Sequence, residues 1–129
     1  MNVLERIPFQ NNQAVVFDID DTLIHSRTHR RIPNIYRLYN YCRNKGYKIY
    51  IITARAGTPQ NMRFTQQQLQ SLNIKGYRKI FFRHPMERRI AEYKKNCRKS
   101  IPEQVVMSIG DQMGDIGQYG GFGLIVRPN

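Results

Sequence analysis

Apolar residues in this chain gather in short continuous runs, each stopped abruptly by polar residues. Ala14-Val15-Val16-Phe17 ends in Asp18-Ile19-Asp20-Asp21-Thr22, and a second run over 47–52 ends in Thr53-Ala54-Arg55. Lys79-Ile80-Phe81-Phe82, flanked by Arg83 and His84, stops before Pro85; Val105 to Ile109 ends in Gly110-Asp111; Gly123 to Val126 is a fifth. Continuous runs rich in β-branched and aromatic residues, without polar alternation, predict strands covered on both faces.

The intervening stretches repeat with helical spacing. Residues 34–44 put Ile35, Leu38, Tyr39 and Cys42 on one face, and 60–72 and 86–99 predict two further helices. Pro33 and Pro59 stand at first turns, and Gly46 follows a helix end. Strands alternating with single helices predict an α/β fold: one Rossmann-like domain over 1–129, with a parallel five-stranded sheet and helices on both faces. Only 24–46 separates the first two strands, enough for a flap and one helix, so no cap domain is expected.

Length and composition agree with this picture. A chain of 129 residues, 40% hydrophobic, can bury a core of its own. Cys42 and Cys97 lack CxxC spacing and read as free thiols. The first thirteen residues carry no apolar signal segment and no stretch approaches membrane-spanning length, so a cytoplasmic, intracellular protein without membrane contact is expected.

Charge changes the picture more. Lys and Arg number 21 against 9 Asp and Glu, a formal charge of +12. Five of the nine acids are Asp18, Asp20, Asp21, Asp111 and Asp115, leaving four for the rest of the chain. Such a basic body around an acidic pocket serves solubility or attracts a polyanion, and composition alone does not choose.

In open α/β sheets ligands bind beyond the carboxyl ends of the strands. Asp18 and Asp20, Thr53, and Asp111 all fall just past predicted strand ends, so three strands deliver polar groups to one edge. Alone, Thr53 reads as a strand-end hydroxyl capping the next helix. Asp21 reads as a turn acid, and His25, His29 and His84, without ligand spacing, as loop residues. Lys94, Lys95 and Lys99 compete for the role of a charged partner to the acids.

These residues resemble the haloacid dehalogenase (HAD) superfamily of phosphohydrolases. Phe17-Asp18-Ile19-Asp20-Asp21-Thr22-Leu23 is similar to its first motif, Ile51-Ile52-Thr53 to its second, and Gly110-Asp111-Gln112-Met113-Gly114-Asp115 to its fourth. Closer similarity is to the subfamily IIIB acid phosphatases and plant vegetative storage proteins, through Tyr93-Lys94-Lys95-Asn96-Cys97-Arg98-Lys99, the Gly-Asp-Gln of the fourth motif and the closing Val126-Arg127-Pro128-Asn129. That resemblance selects Lys94 as the third motif. The longer N-terminal region of the subfamily is missing here, so its extracellular location and substrate preferences are not expected to carry over.

The resemblance implies a phosphatase in which Asp18 is the nucleophile and Asp20 the general acid. Thr53 and Lys94 would bind the phosphoryl group, with Arg55 touching substrate, and Mg²⁺ would be held by Asp18, the Asp20 carbonyl, Asp111 and Asp115, the last through water. A basic flap bearing Arg27, His29, Arg30 and Arg31 makes a nucleotide or phosphate-ended nucleic acid the expected partner. The rival is a basic nucleic-acid-binding module on a degenerate fold of the same kind. Binding alone does not need Asp20.

Overall fold

The five apolar runs form five parallel strands in the computed structural model, which describes residues 3–6 and 8–127. They are β1 (Gln13–Phe17), β2 (Lys48–Ala56), β3 (Lys79–Arg83), β4 (Gln104–Gly110) and β5 (Phe122–Ile125). The sheet order is β3-β2-β1-β4-β5, with every neighbouring pair parallel. The chain therefore walks outward from β1 to β3, then returns across the sheet to β4. The reversal lies between β1 and β4, and that is where a crevice opens at the carboxyl ends. Pro128 and Asn129 of the closing motif lie outside the described residues.

Side chains alternate across the sheet and sort the core into two layers. Val15, Phe17, Ile49 and Ile51 pack with α1 (Pro33–Lys45) and α2 (Pro59–Ser71), whereas Ala14, Val16, Tyr50 and Ile52 pack with Cys97 and Ile101 around α3 (Ile90–Ser100). Helix α1 buries Ile35, Leu38, Tyr39 and Cys42, the face that the spacing predicts. Full burial of such side chains is worth about 1.5–3 kcal/mol each, so packing outweighs helix propensity here. Pro33 opens α1, and Gly46 at φ 104° closes it, donating its N–H to the carbonyls of Cys42 and Arg43. A side chain at Gly46 would be strained in that conformation.

Two boundaries differ from expectation. Helix α3 begins at Ile90 rather than Met86, because Arg83 Nη1 donates to the Glu87 carbonyl at 2.7 Å and draws the intervening segment into a loop. Strand β2 runs past Thr53 to Ala56, so Thr53 lies within the strand rather than beyond it. Its pairing with β1 ends at Phe17 and Ile51, and its register with β3 breaks between Ile52 and Ala56. The carbonyls freed at the break find new donors: the Tyr93 hydroxyl at 2.7 Å from Thr53 and Arg83 Nε at 2.8 Å from Ala54.

Between β1 and α1, two isolated bridges, Asp20 with Ile24 and Ile24 with Arg31, fold 18–32 into a short flap. Asp21 at φ 58° accepts both the backbone N–H and the hydroxyl of Ser26, as a turn acid would. Among the described residues neither crossover carries a cap domain, and no helix is long and apolar enough to cross a membrane.

Candidate active site

Asp18 leaves β1 at the switch point, where its backbone N–H bonds the Ile109 carbonyl of β4 at 3.0 Å. Its carboxylate is buried; Oδ1 accepts from Lys94 Nζ at 3.0 Å and Oδ2 from the Thr22 hydroxyl at 3.3 Å. Lys94 rises from α3 beneath the strand ends and also pairs with Asp115, which is itself buried and accepts the Gln112 N–H at 3.0 Å. Asp115 thus sits in direct contact with the site lysine.

Asp18, Asp111 and Asp115 bring carboxylate oxygens within 4.8 Å of one another. Burial drives the Asp18 carboxyl up to about 8; Lys94 opposes this, and Asp115 and Asp111 reinforce it. Burial works against the Lys94 ammonium too, yet Asp18 and Asp115 outweigh it and its pKa rises. One ammonium pairs with two of the three carboxylates. An all-oxygen, net-anionic donor set, buried at Asp18 and Asp115 and half-buried at Asp111, suits a hard divalent cation, so these residues fit such an ion.

Asp20 points elsewhere. Arg55 Nε and Nη2 hold its two oxygens at 3.0 and 2.8 Å, while Arg55 Nη1 donates to Thr65 Oγ1 and Gln68 Oε1 at 3.0 and 2.9 Å. Four of the five guanidinium N–H groups are thereby committed within the protein, and this fork fixes the orientation of Asp20. Thr53 is fully buried at the β2 end, its hydroxyl accepting the Arg55 N–H at 3.1 Å. It does not cap α2: Thr58 does, accepting the Asn61 N–H at 3.1 Å.

The fourth motif depends on two residues that the sequence marks only as part of its motifs, without a role of their own. A Cβ at Gly110 would lie 2.2 Å from the Asp115 side chain, so only glycine lets that carboxylate fold back over the strand. Arg98, buried, donates to the carbonyls of Gln118, Gly114 and Ile116 at 2.9, 2.9 and 3.2 Å and clamps the loop that carries Asp115. It stands four residues after Lys94, on the same helical face, a spacing that points to it. Arg98→Met is expected to remove the donors of three part-buried carbonyls and to cost roughly 1–3 kcal/mol. Chemical denaturation would show it, and an unchanged midpoint would mean that the clamp is idle.

Residues 23–129 match the family model of HAD superfamily subfamily IIIB, the acid phosphatases. Asp18 and Asp20 precede the matched segment, so their place rests on the structure. A chain of the Pnkp1/Rnl/Hen1 complex superposes with a TM-score of 0.70 at 18% identity, covering 80% of this chain and 40% of that one. The class C acid phosphatase from Bacillus anthracis with tungstate bound gives 0.61 at 18% identity, covering 88% and 57%. This chain thus spans about half the length of those structures, and at such identity they speak for the fold. No curated protein matches the sequence.

Proposed function

The chain belongs to subfamily IIIB of the HAD superfamily, the acid phosphatases, and from that membership we propose that it is a Mg²⁺-dependent phosphoric monoester hydrolase acting through an aspartyl-phosphate. The observation that carries the reading is the convergence of buried Asp18, Asp115 and Lys94 with half-buried Asp111 at the switch point of the sheet.

In this mechanism a carboxylate oxygen of Asp18 attacks phosphorus, the ester P–O bond breaks, and Asp20 gives a proton to the departing oxygen. Asp20 then takes a proton from water, which attacks the aspartyl-phosphate, releases inorganic phosphate and restores the Asp18 carboxylate. Lys94 holds Asp18 in place for attack and offsets phosphoryl charge, and Thr53 donates to a phosphoryl oxygen. Arg55, bound to Asp20 through both carboxylate oxygens, positions the acid and base. Mg²⁺, held by Asp18, Asp111, Asp115 and the Asp20 carbonyl, would neutralise charge on the transferring phosphoryl group.

A hydrolysis screen over mononucleotides, sugar phosphates, phosphopeptides and phosphate-ended oligonucleotides, with and without Mg²⁺, tests the reading. No released phosphate from any class would reject it. Asp20→Asn should slow alkyl phosphates by about 10²–10⁴-fold and an activated aryl phosphate far less, since general acid catalysis matters least for a stable leaving group. Equal losses on both would remove Asp20 from proton transfer.

The substrate class proposed is a nucleotide or phosphate-ended nucleic acid, supported by the +12 charge and by the lack of a cap domain among the described residues.

A further inference from the structure

Charge on this molecule is segregated. No carboxylate occurs between Asp21 and Glu87, whereas thirteen Lys and Arg residues do. That stretch builds most of the flap, β2 and β3, and the helices α1 and α2 that, with Leu4, cover one side of the sheet. Solubility needs only net charge; confining every acid to the remainder of the fold serves attraction of something extended and anionic.

The surface of that layer is shaped as well as charged. A concavity of about 540 Å³ between the flap and β5 is lined by Arg30, Arg31 and Arg127, among others. It continues over Arg30, Arg31 and Pro33 into one of about 490 Å³ that reaches Arg37, Ser71 and Leu72. Ser71 and Leu72 lead into a third, of about 580 Å³, between His29 and Phe64. None of the three has an acidic residue in its lining.

Both ends of this trough abut the candidate site. At one, the Val126 N–H bonds the Gly110 carbonyl at 2.7 Å, one residue before Asp111. At the other, Gln68 accepts from the same Arg55 that holds Asp20. The trough thus curves around the flap from the Asp111 side to the Asp20 side.

The trough carries aromatics, one exposed and one half-buried beside a cation. Phe64 is 59% exposed, and the Arg31 guanidinium carbon lies over the Tyr36 ring, 4.0 Å from its centre, while Nη1 donates to the Leu72 carbonyl. Arginines that track a backbone, interleaved with an aromatic platform for bases, are the means by which proteins hold single strands without reading sequence. An acidic peptide would use the charge but has no need of the platform.

We propose that this trough binds single-stranded nucleic acid and delivers its phosphorylated end to Asp18. Binding is independent of the phosphatase reading; delivery of the end rests on it.

The test compares wild type with Arg30→Ser/Arg37→Ser/Arg127→Ser, with Phe64→Ala, and with Arg88→Ser/Lys95→Ser/Lys99→Ser, which removes equal charge from the α3 side. Fluorescence anisotropy with an unphosphorylated single-stranded 12-mer, over a salt series, reads binding alone. The trough triple should weaken it at least about tenfold and flatten the log–log salt slope by about 2, at roughly 0.7 per lost phosphate contact. Phe64→Ala should weaken it severalfold with the slope unchanged. On a phosphate-ended 12-mer the trough triple should lose kcat/KM in proportion, with hydrolysis of a small aryl phosphate retained.

Equal losses in the two triples would reduce the effect to net charge and overturn the proposal. So would a loss confined to phosphopeptide substrates, which would reassign the trough to acidic protein. Strong trough-dependent binding with no hydrolysis of any phosphate ester would keep the binding site and reject the phosphatase reading instead.

Discussion

Asp18→Asn is expected to lower turnover by about 10⁴-fold or more while the fold survives, because an amide cannot serve as the attacking carboxylate. The substitution is nearly isosteric, and the Lys94 ammonium keeps Asp115 as its partner. Stability should move in the favourable direction in chelator. The folded-state pKa of Asp18, about 8, lies above its unfolded value of 3.8, so the unfolded chain releases this proton first. Wild-type stability therefore falls as pH rises between those two values, and asparagine removes that slope. Denaturation of both proteins in chelator from pH 5 to 8 would measure it. Near wild-type hydrolysis of an aryl phosphate by the variant would sink the nucleophile assignment; parallel pH profiles would mean that Asp18 is ionised throughout.

Removing metal is expected to be nearly as costly. A chelator should cut activity by about 10³-fold or more, and Mg²⁺ should restore it, since charge neutralisation at phosphorus is worth several kcal/mol. A second readout does not depend on turnover. Mg²⁺ at about 100 times its dissociation constant should stabilise the fold by about 2.7 kcal/mol. Asp111→Asn should erase that gain while the apo protein still folds, because an amide can keep the Asp111 contacts with Gln112 Nε2, at 3.3 Å, and with the Asp18 carboxyl. Full turnover in chelator, or a melting temperature unmoved by Mg²⁺ or Mn²⁺, would refute the metal role of the three carboxylates.

Much of this was legible in one dimension, for a physical reason. A strand covered on both faces must be apolar along its length, so the central β1, β2 and β4 announce themselves as runs, and the first polar residue after β1 and β4 marks the carboxyl end, whereas β2 continues past Thr53. That placed Asp18 and Asp111 on one edge. The helical face of Ile35, Leu38, Tyr39 and Cys42 followed from periodicity, because burial acts on the side chains that the 3.6-residue turn brings together.

What periodicity could not decide was partnership between side chains distant in the chain. Lys94, Lys95 and Lys99 look alike as letters; only packing of α3 under the strand ends turns Lys94 inward to Asp18, leaving Lys95 paired with Glu92 at the surface. Nothing in the letters shows that Arg55 reaches back 35 residues to grip Asp20, or that Arg98 satisfies three carbonyls of a loop it never neighbours in sequence. Sequence fixes local geometry through backbone sterics and burial, and so determined the elements and their chemical ends. Which charges meet, and whether the basic residues scatter or line one continuous trough, depends on how the layers stack, and only the tertiary structure decided it.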